Sequence, residues 1–434
     1  MNPTAVGIAG IVVLVFIFLL RMPVGFAMAF VGLLGFSYLV SVGAGLDVLA
    51  RDYFYVFSSY SLTVIPMFVF MGCIASGAGM SKRLYDAGYL MLGRLRGGLA
   101  MATIAGCAGF AAICGSTNAC AAAMGRVSLP EMKRYNYDDT LATGTVAAAG
   151  SLGILIPPST IFLVYGIMTE QSIGKLFIAG VFPGLILAGL FVATVTIVCS
   201  RNPSLAPAGA TASWRDKLDG ISGMGEMLVL FLLVITGLFL GWFSPTQAGG
   251  AGAAGALLIG LIRRQLAWDG FLTAVKDTLR ITCMIMVIVA GATVFGHFMA
   301  VSKIPLILAD WVSALPLPPM AVMAVIVFIY LIGGCFMDSL AMITLTIPIF
   351  YPAIIALGFD PIWFGVIIVL IVEMGVITPP VGINVYVIKG IASDVPIAKI
   401  FKGVLPFLIA ELIMIGILIA FPKVATFLPS LITY

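Results

Sequence analysis

Apolar stretches of about twenty residues, the length a helix needs to cross bilayer hydrocarbon, follow one another from Val6 to Pro422 with short polar punctuation between them. The first three strong ones are VGIAGIVVLVFIFLL, PVGFAMAFVGLLGFSYLVSV and LTVIPMFVFMGCIASGAGM. Between the second and third, DVLARDYFYVFSSYS mixes aromatics with a charge pair and reads as an interfacial helix. The first run has Arg21 after it and no basic residue before it, the reverse of a signal peptide, so it is expected to remain as a membrane helix.

Two proline pairs fall inside apolar runs, in GILIPP (residues 153–158) and GVITPP (residues 375–380). Proline has no N–H to give and its ring collides with the preceding turn, so each pair predicts a helix broken within the membrane. Upstream of each break lies a run too long for one crossing and polar at its centre. GGLAMATIAGCAGFAAICGSTNACAAAMGRVSLP carries Ser116, Thr117 and Asn118; PPMAVMAVIVFIYLIGGCFMDSLAMITLTIPIFYP carries Gly333, Gly334, Asp338 and Ser339. Each predicts a re-entrant hairpin with its tip at the midplane.

The two breaks belong to a duplication. GILIPP recurs as GVITPP and GVFPGLI, from Gly180, recurs as GVLPFLI, from Gly403, at a nearly constant offset of about half the chain. The least hydrophobic stretch, RNPSLAPAGATASWRDKLDGISGMGE, lies between the copies and reads as a linker. With Arg21, Lys82, Arg83, Arg94 and Arg96 facing the cytoplasm, the first half starts outside. The second starts inside and returns inside at Arg263 and Arg264, so the halves are inverted. The fold class is therefore all-α and polytopic, an inverted repeat with two re-entrant hairpins and two broken helices, a pattern characteristic of secondary transporters.

Composition narrows the picture. Of 434 residues 62% are hydrophobic and 9% charged, against about 25% charged in a soluble domain, which leaves no room for a soluble domain of any size. The net charge of +4 reflects loop lysines and arginines, and argues topology, not nucleic-acid binding. The seven cysteines are scattered through apolar segments without metal-ligand spacing and read as small buried hydrophobes. Enzyme chemistry finds little support: GxSxG and Walker sequences are absent, His297 is far from Ser116, and a membrane aspartyl protease needs a second aspartate beside Asp338.

A broken helix strands carbonyls at the end of its first half and N–H groups at the start of its second, which hydrocarbon cannot satisfy. The carbonyls of Gly153, Ile156 and Pro157, and of Gly375, Thr378 and Pro379, are hard donors suited to Na⁺. The positive helix ends near Ser159 and Thr160, or near Asn384, suit an anion. A proline kink satisfied by packing alone is the competing reading. Asp338 is the only acid in either tip and the strongest cation candidate, or else a helix cap. Glu373 reads as a hydrogen-bond partner of the hairpin or a proton relay, His297 as interfacial, and Glu411 has no assignment.

The stretches AAAGSLGILIPPSTIFLVYGIMTEQSIGKLFIAGVFPG, FMDSLAMITLTIPIFYP and EMGVITPPVGINVYVIKG resemble the large membrane (M) subunit of tripartite ATP-independent periplasmic (TRAP) transporters, and the likeness covers essentially the whole chain. The resemblance implies a bacterial inner-membrane importer with both termini periplasmic, not an enzyme, coupled to Na⁺ and moving an organic acid by an elevator-type transport domain. It implies as partners a periplasmic substrate-binding (P) protein and a separate small membrane (Q) subunit. Residues 1–96 and 226–300 would form the scaffold, 97–200 and 301–434 the transport domain, and 201–225 a cytoplasmic linker. Carried over by position, one Na⁺ site falls on Ser116, Asn118, Gly153, Ile156 and Pro157, and a second on Gly334, Asp338, Thr378 and Pro379. The substrate falls near Ser116, Ser159, Thr160 and Asn384. A proton-coupled carrier, or a two-hairpin carrier working without a binding protein, is the alternative.

Overall fold

The computed structural model describes residues 2–20, 22–207, 214–314 and 316–432, and no strand occurs among them. Arg21, used above to orient the first helix, lies outside the described residues. In the first half α1 (Pro3–Leu19) and α2 (Val24–Leu39) precede α3 (Val42–Ser58), whose N-terminus is capped by the Ser41 hydroxyl accepting from the Ala44 N–H. A 3-10 turn leads into α4 (Val64–Gly77), then α5 (Met80–Leu92). The first hairpin is α6 (Gly98–Cys114) and α7 (Thr117–Arg134); the first broken helix is α8 (Asp139–Ser151) and α9 (Thr160–Thr169), followed by α10 (Ile173–Arg201).

The second half repeats this order. Helices α11 (Trp214–Phe239), α12 (Pro245–Ile262), α13 (Trp268–Ser302) and α14 (Ile304–Ala314) precede the hairpin α15 (Pro319–Phe336) and α16 (Ser339–Ala356). The broken helix α17 (Pro361–Gly375) and α18 (Ile383–Ile391) follows, then α19 (Ile397–Ala420) and α20 (Lys423–Ser430). Within residues 201–225, expected to be a linker, α11 already begins at Trp214, after the last proline of the stretch, Pro207.

One offset relates the halves in detail. It carries Pro157 to Pro379, Asp138 to Asp360 and Ser116 to Asp338, 222 positions in each case. Both proline–proline bonds are cis. Asp138 caps α8 and Asp360 caps α17 in the same way, each accepting from the N–H two residues on at 2.8 Å. The halves differ where α3 and α4, separated at Ser59 in the first copy, correspond to the single 35-residue α13 in the second.

Helices α2 and α13 pack together, as do α4 and α12, in a reciprocal arrangement of the two repeats. The hairpins and broken helices form a second body around α17, whose residues from Trp363 to Gly375 are all buried. A helix apolar on every side is stable only in such a place. Between the bodies runs α5, which packs on α6 and on α11. Its Arg83 and Arg263 of α12 both pair with Glu226 of α11, and Arg83 also donates to Gln265.

Candidate functional site

The first hairpin turns at Gly115, whose φ of +63° is the left-handed conformation glycine adopts without a Cβ penalty. Ser116 follows in extended conformation as the N-cap of α7. The first break lies directly against this turn. The Gly115 carbonyl accepts from both the N–H and the hydroxyl of Thr160, at 3.2 and 2.9 Å. A Cβ on Gly153 would stand 2.6 Å from the Ser116 carbonyl oxygen, so only glycine lets break and tip approach this closely.

Across the break itself, Ser159 caps α9 by accepting from the Phe162 N–H at 3.2 Å, while its hydroxyl donates to the Ile154 carbonyl at 2.5 Å. What remains unsatisfied is informative. The buried carbonyls of Ile156 and Pro157 accept no hydrogen bond from any described residue, and Asn118 Oδ1 is likewise buried without a partner. Hard, neutral oxygens left bare beside a proline break suit a monovalent cation better than they suit hydrocarbon.

In the second copy Asp338 occupies the place of Ser116 and caps α16, its Oδ2 accepting from the Leu340 N–H at 3.1 Å. The adjacent Ser339 hydroxyl is buried without a partner. Gly334 lies against the backbone of Gly375, so hairpin and break touch here as well. Thr378 donates its hydroxyl to the Met374 carbonyl at 2.7 Å, and Pro379 is exposed.

The two tips meet in one cavity of about 500 Å³, lined by Ser116, Thr117, Asn118, Thr160, Asp338 and Ser339 from the hairpin body and by α4 and α13 from the other. Several residues expected at the site lie outside the described lining of this cavity. Ser159 is buried with its hydroxyl spent inside the break, and the fully buried Asn384 accepts from the Thr117 hydroxyl at 2.9 Å and donates to the Ala147 carbonyl at 3.1 Å. Neither is among the cavity's described lining residues. Of the residues expected to hold Na⁺, Ser116, Asn118 and Asp338 line the cavity, and Gly153, Ile156, Pro157, Gly334, Thr378 and Pro379 are not among its described lining residues.

Other polar residues find partners that the sequence pattern did not reveal. His297, expected at the interface, is 40% exposed and its Nε2 lies 3.1 Å from Asp52 Oδ2, a buried carboxylate on α3. The Ser151 hydroxyl lies 2.8 Å from Glu373 Oε1 and 3.5 Å from Glu411 Oε1, and all three residues are fully buried. Lys133 at the base of the first hairpin pairs with Asp394 beyond α18 at 2.5 Å. That hydrogen bond holds the Asp394 carboxyl below the usual aspartate range and Lys133 above the usual lysine range.

Residues 11–424 match the family profile described as the tripartite ATP-independent periplasmic transporter, DctM component. The chain is 37% identical over 372 residues to the C4-dicarboxylate TRAP transporter large permease protein DctM of Pseudomonas aeruginosa, covering 86% of each. It is 30% identical over 412 residues to the sialic acid TRAP transporter large permease protein SiaM of Vibrio cholerae, covering 94% of this chain and 95% of that one. Among solved structures it is similar in fold to the YdaH transporter of Alcanivorax borkumensis, with a TM-score of 0.60 at 16% identity over 88% of this chain and 90% of that one.

Proposed function

We propose, from the premise that this chain belongs to the DctM-component family of tripartite ATP-independent periplasmic transporters, that it forms the transport pathway of a Na⁺-driven importer of organic acids. It is a multi-pass membrane permease and not an enzyme, as its relatives are. A substrate-binding protein on the outer side would deliver the acid, and a separate small membrane subunit would complete the membrane part. Relatives named for a C4-dicarboxylate and for sialic acid support the substrate class.

The observation that carries the reading is the convergence of both hairpin tips on one cavity, with unpaired carbonyls in the first break and a buried, unpaired Asn118 Oδ1 at the first tip. Cations seated behind the tips would supply the positive charge that lets an acid enter beside Asp338. The hairpins and broken helices would then move as a body along α2, α4, α12 and α13.

The charge distribution supports one orientation. Tracing the chain through its breaks puts Lys82, Arg94, Lys133, Arg201, Arg263 and Lys399 at one end of the molecule. Among the described residues Arg51, Lys175, Lys303 and Lys423 are the lysines and arginines at the other. By the positive-inside rule this distribution supports a cytoplasmic first end, and with it periplasmic termini. The cavity reaches the cytoplasmic end through Ser76, Arg126 and Gly270, which supports an inward-facing conformation.

The test is reconstitution with the small subunit and binding protein in proteoliposomes under an imposed Na⁺ gradient. Uptake that needs external Na⁺ supports the proposal; uptake that follows a pH gradient and ignores Na⁺ defeats it. One feature favours that proton-coupled reading: the buried pair Glu373 and Glu411, each with one carboxyl oxygen lacking a partner.

A further inference from the structure

Among the described residues that line the central cavity, Arg126 alone has a basic side chain, and it lies on neither a tip nor a break. It is exposed and makes no ion pair or hydrogen bond with any described residue, unlike Lys133 further along the same helix. Its position is set by the helix. Eight residues beyond Asn118, at 1.5 Å per residue, Arg126 stands about 12 Å from the tip toward the cytoplasmic base. That rise separates backbone positions, so Arg126 stands nearer the cytoplasmic opening of the cavity than the tips do. Across the cavity, α13 of the other body contributes Thr273 and an exposed acid, Asp277, and α4 contributes Ser76 and Cys73.

We infer that Arg126 is a second carboxylate-docking residue, placed on the cytoplasmic release path beyond the tips. A planar guanidinium offers a carboxylate two parallel donors, a recognition that an unpaired arginine in a vestibule supplies without first breaking an internal pair. An acid leaving the tips loses their helix ends and cations, and next meets Arg126. Asp277 opposes this by repulsion. The inference rests on the reading of the chain as an organic-acid permease, and it adds a sidedness to that reading: Arg126 governs affinity from the cytoplasmic side.

The test has two arms. In the first, all cysteines but Cys73, which lines the same cavity, are replaced, and Cys73 is labelled from the cytoplasmic side with a sulfonate-bearing and an ammonium-bearing methanethiosulfonate. The sulfonate reagent is itself the anion probe, and no transport is required. Arg126→Gln is expected to lower the sulfonate-to-ammonium rate ratio and Asp277→Asn to raise it. An unchanged ratio in Arg126→Gln overturns the inference.

In the second arm, exchange across proteoliposomes is measured with succinate and with sialic acid. Arg126→Gln is expected to raise the internal KM by about tenfold, the loss of one charge-assisted hydrogen-bonded contact, while leaving the external KM unchanged. Arg126→Lys should recover part of the loss, and Asp277→Asn should lower the internal KM or leave it alone. If Asp277→Asn instead reproduces the defect of Arg126→Gln, the arginine acts through that aspartate and the inference is wrong. A wild-type protein that moves no acid even with its binding protein defeats the permease reading, and the labelling arm then decides the role of Arg126.

Discussion

The hydroxyl of Ser151 lies 2.8 Å from Glu373 Oε1, and the two residues are each other's equivalents in the repeat, 222 positions apart. The inverted halves thus touch at their own pseudo-symmetric point, with a serine in one copy facing a carboxyl in the other. Ser151 is also 2.6 Å from the Ala148 carbonyl. A hydroxyl has one proton and cannot donate to both, so the geometry is satisfied best by Ser151 donating to Ala148 and a neutral Glu373 donating to Ser151. No basic side chain pairs with Glu373 or Glu411 among the described residues, and an ionised buried pair without one would be strongly unfavourable.

Glu373→Gln keeps a donor in the same place without the acid. Under Na⁺ coupling it should fold normally and retain Na⁺-driven uptake, whereas Ser151→Ala should destabilise the protein by about 1–3 kcal/mol by stranding a buried polar group. Uptake and thermal melting in detergent check both. A folded Glu373→Gln protein that has lost all uptake would turn the mechanism toward protons.

Asp338 both caps α16 and lines the cavity. Asparagine caps a helix about as well as aspartate, while alanine forfeits about 1 kcal/mol. Asp338→Asn should therefore melt like the wild type and yet fail in Na⁺-dependent uptake, and Asp338→Ala should fail and also melt earlier. Normal uptake by the asparagine variant would reduce Asp338 to a cap.

Gly153→Ala places a methyl 2.6 Å from the Ser116 carbonyl oxygen, where backbone on both sides leaves nothing flexible to yield. The break and the tip must separate, at about 1–3 kcal/mol for overpacking. Inserted protein with sharply weakened Na⁺ activation of uptake is expected, measured as the Na⁺ concentration for half-maximal rate. An unaltered Na⁺ dependence would detach the first break from ion binding.

How much of this was legible in the sequence depended on whether a feature lives in local covalent chemistry or in distant packing. The breaks at Pro157 and Pro379 were, because a proline pair forbids a continuous helix whatever surrounds it. The hairpin tips at Ser116 and Asp338 were, because polar residues centred in overlong apolar runs have few other solutions. Asn384 was not, since its helix-end position suggested a ligand-facing role and only the fold reveals Thr117 and Ala147 against it. Arg126 carries no signal in the sequence, because GRVSLPEMKR reads as the ordinary basic end of a helix. The offset of the proline pairs makes Ser151 and Glu373 equivalent positions, but only the fold shows that they touch.

The Lys133 to Asp394 pair ties the first hairpin to the loop after the second broken helix, and its titration bounds what pH can do through it. Asp394 is held below its ordinary value, so its contribution is present above that value and is lost only as pH falls through the lowered one. Lys133 is raised, so its contribution is present below the ordinary lysine value and lost as pH climbs through the raised one. Between about pH 5 and 9 the pair is constant. Lys133→Ala should consequently shift uptake, if at all, by the same factor at pH 5.5 and pH 8. A change in the shape of the pH profile would mean that the tie reports on a titrating group elsewhere.

Asn384 and Thr117 are the contact through which the second broken helix holds the first tip. The Asn384 amide bonds Thr117 Oγ1 at 2.7 Å and also reaches α8, so one side chain joins α18, α7 and α8. Hydrogen bonds between membrane helices contribute about 0.6 kcal/mol on average and about 1.7 at most. Asn384→Ala leaves two buried partners unpaired and belongs at the upper end of that range. Because Thr117 sits one residue from Ser116, the larger effect should be on transport: Asn384→Ala and Thr117→Val should each weaken Na⁺ activation, and the double variant should be no worse than either alone. Additive losses in that cycle would show that the two side chains act on separate parts of the mechanism and that the tip is positioned by Thr160 alone.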